Sequence, residues 1–88
     1  MVSEDAHFLL RSSIARKTMA CLVKNKKAMT PKHIAKEIDV ARDNVSTRIL
    51  WLTERGLVKC INPEARKWRF YAITDKGKLI LKEVEKLQ

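Results

Sequence analysis

Glycine, proline, cysteine and aromatic residues are all scarce in this 88-residue chain. Two glycines and two prolines leave little of it for linkers, because both residue types concentrate in turns and flexible segments. The two cysteines, Cys21 and Cys60, form no CxxC pair, which argues against a disulfide scaffold and against a structural zinc site. The length allows one domain, over residues 1–88, whose core is small enough that dimerisation would help to stabilise it.

Long apolar runs and catalytic motifs are also missing. No stretch approaches the roughly 18 to 20 apolar residues of a membrane span. Glu4 and Asp5 precede a short apolar run at the N-terminus, which is not the pattern of a signal peptide. We therefore expect a cytoplasmic protein with no membrane partner. Since there is no Gly-rich phosphate loop, no acid pair near a histidine and no nucleophile elbow, we expect no enzymatic activity, no cofactor and no metal.

Positive charge is what the chain has in excess. Nineteen Lys and Arg residues against ten Asp and Glu residues give a formal net charge of +9. A domain this basic favours a polyanionic partner, meaning nucleic acid or an anionic membrane surface. The alternative is that the charge serves solubility alone.

Hydrophobic periodicity and turn signals predict four helices and one β-hairpin. The predicted helices cover about 6–27, 31–38, 42–55 and 75–87, and the predicted strands cover 57–61 and 68–73. Thr30 is a good N-cap for the second helix, and Pro31 follows at its first position. A three-residue connection between a short and a longer helix is typical of a helix-turn-helix, and the hairpin directly after it is typical of a wing. The predicted fold is α+β, a winged helix-turn-helix of three helices, a two-stranded wing and a C-terminal helix.

Between Thr30 and Gly77 the chain resembles the winged-helix domain of the MarR and ArsR families of prokaryotic transcriptional regulators. IAKEIDVA at 34–41 is similar to the family pattern LAeeLgVs, and ERGLV at 54–58 is similar to ekGLV. NPEARK at 62–67 is similar to the wing tip DPrDrR, and the segment ending at Gly77 is similar to LTekG. The match has no gap. The resemblance implies a DNA-binding regulator, and we expect an archaeal source.

The chain departs from the family pattern at several positions. Ala41 replaces the serine that caps the recognition helix, and Ala65 replaces the wing aspartate, so the Asp–Arg pair that braces a MarR wing is missing. Lys67 holds the position of the wing arginine. MarR proteins are also longer, and their extra terminal helices build the dimer and the ligand pocket. The Cys-x-Cys of metal-sensing ArsR proteins is absent, since Thr30 and Lys32 stand there.

The third predicted helix, the recognition helix of the resemblance, carries the candidate base-reading residues. With Val45, Ile49 and Leu52 turned inward, the polar side chains of its N-terminal half suit the major groove of DNA. The candidate DNA-binding residues of this helix are Arg42, Asp43, Asn44, Ser46, Thr47 and Arg48. The alternative is an ordinary solvated face, and Arg48 is close enough to the apolar stripe to be structural.

A second set of candidates would bind phosphates or the minor groove. The wing concentrates cations, and the second helix crosses the DNA backbone in helix-turn-helix complexes. These candidates are Lys32, Lys36, Lys59, Arg66, Lys67 and Arg69. We expect Trp68, Phe70 and Tyr71 to pack in the strands or core and not to stack on bases. We expect the outward Leu50 and Trp51 to pack on the first helix or the wing base, and the alternative is an interface with a partner.

The first and last helices carry more apolar residues than a lone domain of this size needs. We expect the elements at about 6–27 and 75–87 to pair across a two-fold axis in a homodimer. The predicted function is sequence-specific binding of double-stranded DNA as a transcriptional regulator, with the recognition helix in the major groove and the wing at the minor groove or backbone. The alternatives are a sequence-independent nucleoid protein and a winged-helix module for protein contacts.

Overall fold

The structure, a computed structural model, describes residues 3–88, and within them it contains five helices and a two-stranded antiparallel hairpin. This arrangement confirms the predicted α+β winged helix-turn-helix. The elements in chain order are α1 Glu4–Arg11, α2 Ser13–Asn25, α3 Pro31–Ile38, α4 Arg42–Glu54, β1 Val58–Cys60, β2 Tyr71–Ile73 and α5 Asp75–Leu87. None of the helices in this described part is long and apolar enough to cross a membrane.

The prediction of one helix over 6–27 is wrong, because the chain breaks at Ser12. Ser12 is extended, and its hydroxyl caps α2 by accepting a backbone N–H at 3.2 Å. Arg16 then turns back and donates from Nη1 to the carbonyls of Leu9 and Leu10, both at 2.7 Å. A serine cap and a cation on the last carbonyls of a helix stabilise such a break. The apolar periodicity of the sequence continues across Ser12, so the pattern alone did not predict the break.

The helix-turn-helix begins and ends as its sequence predicts. The Thr30 side chain accepts the backbone N–H of His33 at 3.2 Å, and Pro31 occupies the first turn of α3. Asp39 adopts a left-handed conformation in the connection, with φ of 59°. Helix α4 has no side-chain cap, because the methyl side chain of Ala41 cannot accept a hydrogen bond.

The hydrophobic core lies between the helices and the inner face of the hairpin. Val45, Ile49 and Leu52 are almost fully buried on α4, as predicted. The other large core residues include Leu9, Met19, Leu22, Ile34, Leu57, Val58, Leu81 and Val84. Since α4 packs on both α2 and α3, one face of α4 is buried in the core.

The wing, residues 58–73, has shorter strands than predicted. Val58 pairs with Ile73 and Cys60 with Tyr71, so the ladder covers three residues on each strand. On its other side Tyr71 exchanges two backbone hydrogen bonds with Met29, each of 2.9 Å. The wing is therefore attached to the segment that leads into α3.

Several packing predictions need correction. Tyr71 is buried and Phe70 is half-buried, but Trp68 is 60% exposed and does not pack in the core. Trp68 lies in residues 61–70, between the two strands, and not in a strand as predicted. Of the two cysteines, Cys21 is buried and Cys60 is half-buried.

The terminal helices pack on each other. Helix α1 lies against α5, and Asp5 forms ion pairs with Arg55 at 3.8 Å and with Lys76 at 3.3 Å. On the outer side of α5, Leu79 is 69% exposed and Leu87 is 52% exposed. The last helix thus presents apolar side chains that this chain does not cover.

Candidate nucleic-acid interface

The N-terminal half of α4 presents a polar surface. Arg42, Asp43, Asn44 and Thr47 are exposed, and Ser46 is half-buried. The opposite face of the helix is held in the core, so these side chains have a fixed direction. The Thr47 hydroxyl donates to the Asp43 carbonyl at 3.0 Å, which leaves its oxygen free to accept. The surface can therefore present both donors and acceptors to base edges in a groove.

Arg48 differs from the other candidates on α4. Its guanidinium lies over the Trp51 ring at 5.2 Å, and its Nε is buried without a hydrogen-bond partner among residues 3–88. Trp51 in turn packs edge-on against Phe8 of α1, with ring centroids 5.8 Å apart. These contacts favour the structural alternative for Arg48. They also agree with the predicted packing of Trp51 on the first helix, but Leu50, which is 60% exposed, is not covered in this way.

Helix α3 contributes two exposed cations, Lys32 and Lys36. Lys32 belongs to the first turn, and its Nζ lies 5.9 Å from the centre of the Trp68 ring. This contact joins the start of α3 to the tip of the wing. Both lysines are exposed, as contact with a DNA backbone would require.

The wing loop is held in shape by one asparagine side chain. Asn62 Nδ2 donates to the Trp68 carbonyl at 3.0 Å, and Asn62 Oδ1 accepts the Phe70 N–H at 2.8 Å. Ile61 adds a backbone bond to the Phe70 carbonyl at 2.9 Å. The loop is closed across its base without the Asp–Arg pair of the family pattern.

Arg69 takes part in this bracing as well. Its Nε donates to the Ala65 carbonyl at 2.7 Å, so a backbone oxygen replaces the missing aspartate as acceptor. Arg66 and Lys67 are at the tip of the wing, and Lys59 is exposed on β1. Sequence reasoning missed the bracing role of Arg69 and Asn62, since both roles depend on how the loop folds back.

Positive charge at these positions is not neutralised within the protein. Among residues 3–88, the ion pairs within 4 Å are the two made by Asp5, and neither involves a candidate DNA-binding residue. Exposed cations without carboxylate partners are free to neutralise phosphates and release counterions. The electrostatics of the surface therefore suit a polyanion.

A polar cluster behind α3 was also missed. The Cys21 thiol donates to Glu37 Oε2 at 2.8 Å, and Asn25 Nδ2 donates to the same oxygen at 2.7 Å. Burial, followed by the Glu37 carboxylate, raises the pKa of Cys21 to about 12. The hydrogen bonds from Cys21 and then Asn25 lower the pKa of Glu37. No group of three or more His, Cys, Asp or Glu side chains in the described part of the chain is arranged to hold a metal.

Comparison with solved structures identifies the fold. The chain superposes on a MarR-family transcriptional regulator from Silicibacter pomeroyi with a TM-score of 0.72 and 20% identity, covering 96% of this chain and 59% of that one. Wild-type MarR from E. coli, in its apo form, gives 0.70 and 19%, covering 94% and 62%. The transcriptional repressor CouR, bound to a 23-mer DNA duplex, gives 0.66 and 24%, covering 82% and 51%.

These similarities show a winged-helix fold shared with MarR-family regulators. The chain spans between half and about three fifths of the length of the solved structures it matches. No protein-family model matches it, and no curated protein matches it in sequence. The resemblance to ArsR proteins and the archaeal source stay predictions.

Proposed function

We propose that this protein is a transcriptional regulator that binds double-stranded DNA in a sequence-specific manner. The observation that carries the proposal is the polar N-terminal surface of α4, fixed in direction by its buried opposite face and presented by a fold shared with a repressor solved on a DNA duplex. Helix α4 lies in the major groove, and the wing contacts the minor groove or the backbone. We expect this activity in the cytoplasm, on the nucleoid.

Two sets of residues have different tasks in this proposal. The residues that read base edges are Arg42, Asn44, Ser46 and Thr47. Arginine pairs with guanine, asparagine with adenine, and serine or threonine with either. The second set supplies affinity that is steep in salt and indifferent to sequence. Its members are Lys32, Lys36, Lys59, Arg66 and Lys67, with Arg69 contributing through the guanidinium nitrogens that its bond to the Ala65 carbonyl leaves free.

The proposed active form is a homodimer. The exposed Leu79 and Leu87 of α5 support it, because an uncovered apolar helix face on a domain this small is a natural pairing surface. A two-fold dimer would place the two copies of α4 about 34 Å apart, one turn of DNA, on a pseudo-palindromic site. Sedimentation equilibrium of the wild type and of Leu79→Glu tests the pairing. A wild-type monomer at tens of micromolar would contradict it.

Binding to DNA is tested by selection from a random duplex pool, followed by fluorescence anisotropy on the enriched site and on a scrambled duplex. We expect Asn44→Ala to weaken binding to the selected site more than binding to the scrambled one. Arg66→Ala should weaken both equally and lower the slope of log K against log salt by about 0.9. Lys17→Ala is the matched control, since it removes an exposed cation from α2 and changes neither a proposed DNA-binding residue nor the exposed leucines of α5.

Each alternative has its own result in this experiment. Binding that is steep in salt but yields no enriched sequence would mean a nucleoid protein. No binding at low salt would mean that the wing serves a protein contact. Equal effects of Asn44→Ala and Arg66→Ala on the two duplexes would refute the division of tasks.

A further inference from the structure

Trp68 carries the largest type of side chain, yet both its backbone conformation and its exposure to solvent are unusual. Its backbone is left-handed, with φ of 58°, and its side chain is 60% exposed. Large L-residues rarely adopt a left-handed conformation, because Cβ then crowds the backbone. An indole also offers a large apolar area that folding normally buries. Both properties oppose the stability of the isolated protein, and strained, exposed residues of this kind concentrate at binding sites.

The neighbouring contacts hold the Trp68 backbone in this conformation. The Trp68 carbonyl accepts from Asn62 Nδ2 at 3.0 Å, and the same side chain fixes the N–H of Phe70. Arg69 braces the loop on the next residue by donating to the Ala65 carbonyl. The backbone on both sides of the indole is thus fixed, so the ring is held outward by the fold.

The ring also lies among the cations proposed to bind the DNA backbone. Arg66 and Lys67 immediately precede it at the wing tip, and Lys32 Nζ of α3 lies 5.9 Å from its centre. An exposed cation–π contact is weak, which makes it a poor reason by itself for keeping an indole exposed. A surface that combines cations with one large flat apolar group matches the minor groove, where phosphates flank apolar deoxyribose walls.

We propose that Trp68 is a DNA contact of the wing, and that its indole packs against the deoxyribose wall of the minor groove next to the phosphates bound by Arg66 and Lys67. This inference rests on the proposed function and adds an apolar contact to it. The contact neutralises no phosphate, so it contributes affinity that does not depend on salt. It also accounts for an exposed indole at a position where the fold has no use for one.

The first test follows Trp68 directly. The chain has two tryptophans, so Trp51→Phe leaves Trp68 as the sole reporter. Acrylamide quenching of its fluorescence is measured with and without an unlabelled duplex of the selected sequence, while anisotropy of the labelled duplex measures binding in parallel. We expect the quenching constant to fall severalfold as the duplex saturates. Unchanged quenching at full anisotropy overturns the inference and leaves the proposed function intact, whereas absent anisotropy refutes the proposed function itself.

The second test separates a DNA contact from a purely structural role. Glycine adopts positive φ freely, so Trp68→Gly keeps the wing path and removes only the ring. We expect Trp68→Gly and Trp68→Ala both to lower affinity for the duplex by about tenfold, the loss expected for one large apolar contact, with an unchanged salt slope. Trp68→Phe should retain part of the affinity. Wild-type affinity in Trp68→Gly would show that the ring does not contribute to DNA binding and would overturn the inference.

The pair Trp68→Gly and Trp68→Phe also replaces the first test if Trp51→Phe fails to fold. Trp68→Phe then leaves Trp51 as the sole tryptophan, and the difference from the wild type isolates the Trp68 signal. Helix content by circular dichroism shows that each variant is folded before its affinity is compared. Under these conditions every result either supports the contact with DNA or excludes it.

Discussion

Gly77 lies in the first turn of α5, where this helix meets the start of the wing. A methyl group on its Cα would overlap the Leu57 carbonyl oxygen and come within 2.8 Å of the Ile73 side chain. The Leu57 carbonyl cannot easily move away, because it accepts the Thr74 N–H at 3.0 Å. The Thr74 hydroxyl fixes the same turn by donating to the neighbouring Gly56 carbonyl at 2.7 Å. We therefore predict that Gly77→Ala destabilises the fold, although alanine is the better helix former.

The size of the effect follows from two opposing terms. Alanine in place of glycine favours a helix by about 1 kcal/mol. Forcing an extra carbon into a closely packed site costs about 1–3 kcal/mol, and more when the obstacle is backbone. Since the obstacle at Gly77 is a hydrogen-bonded backbone carbonyl, we expect a net loss of about 2 kcal/mol in the free energy of unfolding. For a domain of this size such a loss lowers Tm by about 10 °C.

Thermal and urea unfolding followed by far-UV circular dichroism measures this loss. Gly56→Ala is the matched control, because Gly56 has φ of 73° but has open space where a Cβ would lie. That variant has only backbone strain, about 1 kcal/mol. We expect stability to fall in the order wild type, Gly56→Ala, Gly77→Ala. A Gly77→Ala protein as stable as the wild type would show that α5 can shift away from the wing at no cost.

Three further predictions concern the wing and the cluster behind α3. Asn62→Ala removes two hydrogen bonds to the wing backbone and should lower the free energy of unfolding in urea by about 1–2 kcal/mol. Amide hydrogen exchange should become faster only within residues 61–70, and unchanged exchange there would contradict the bracing role of Asn62. Cys21, with its pKa raised to about 12, should react slowly with a disulfide reagent at pH 8 in a Cys60→Ser background, and Glu37→Gln should speed the reaction. Since the folded pKa of Cys21 lies above its unfolded value, the stability it contributes is complete below about pH 9 and is lost as pH rises toward 12. If Glu37→Gln loses stability over the same alkaline pH range as the wild type, the Glu37 carboxylate does not help to raise the pKa of Cys21.

The parts of the fold that were predictable from the sequence depend on neighbouring residues. Thr30 caps α3 and Pro31 has a backbone φ suited to its first turn, so these two adjacent residues predict where the helix begins. Gly56, with its positive φ, marks the end of α4 in the same local way. The candidate face of α4 followed from the burial of Val45 and Ile49 at helical spacing.

The parts that sequence reasoning missed depend on contacts between distant residues. Glu37 meets Cys21 from another helix, and Arg69 reaches the Ala65 carbonyl only after the loop has folded. The break at Ser12 was concealed because apolar periodicity continued through it. Trp68 is a residue type typical of strands but has a left-handed backbone, which is set by the Asn62 side chain and not by its own preference.

The attachment of the wing has a consequence for how DNA would be read. Met29 pairs with Tyr71 through two backbone hydrogen bonds, and the next residue, Thr30, caps α3. The same short segment therefore fixes both the edge of the wing and the start of the helix-turn-helix. Moving the wing relative to α4 would break this pairing and expose buried Met29 and Tyr71. In the proposed DNA complex, the wing and α4 would therefore bind as one rigid unit. Any adjustment to the spacing of half-sites would then come from the contact between the two copies of the proposed homodimer.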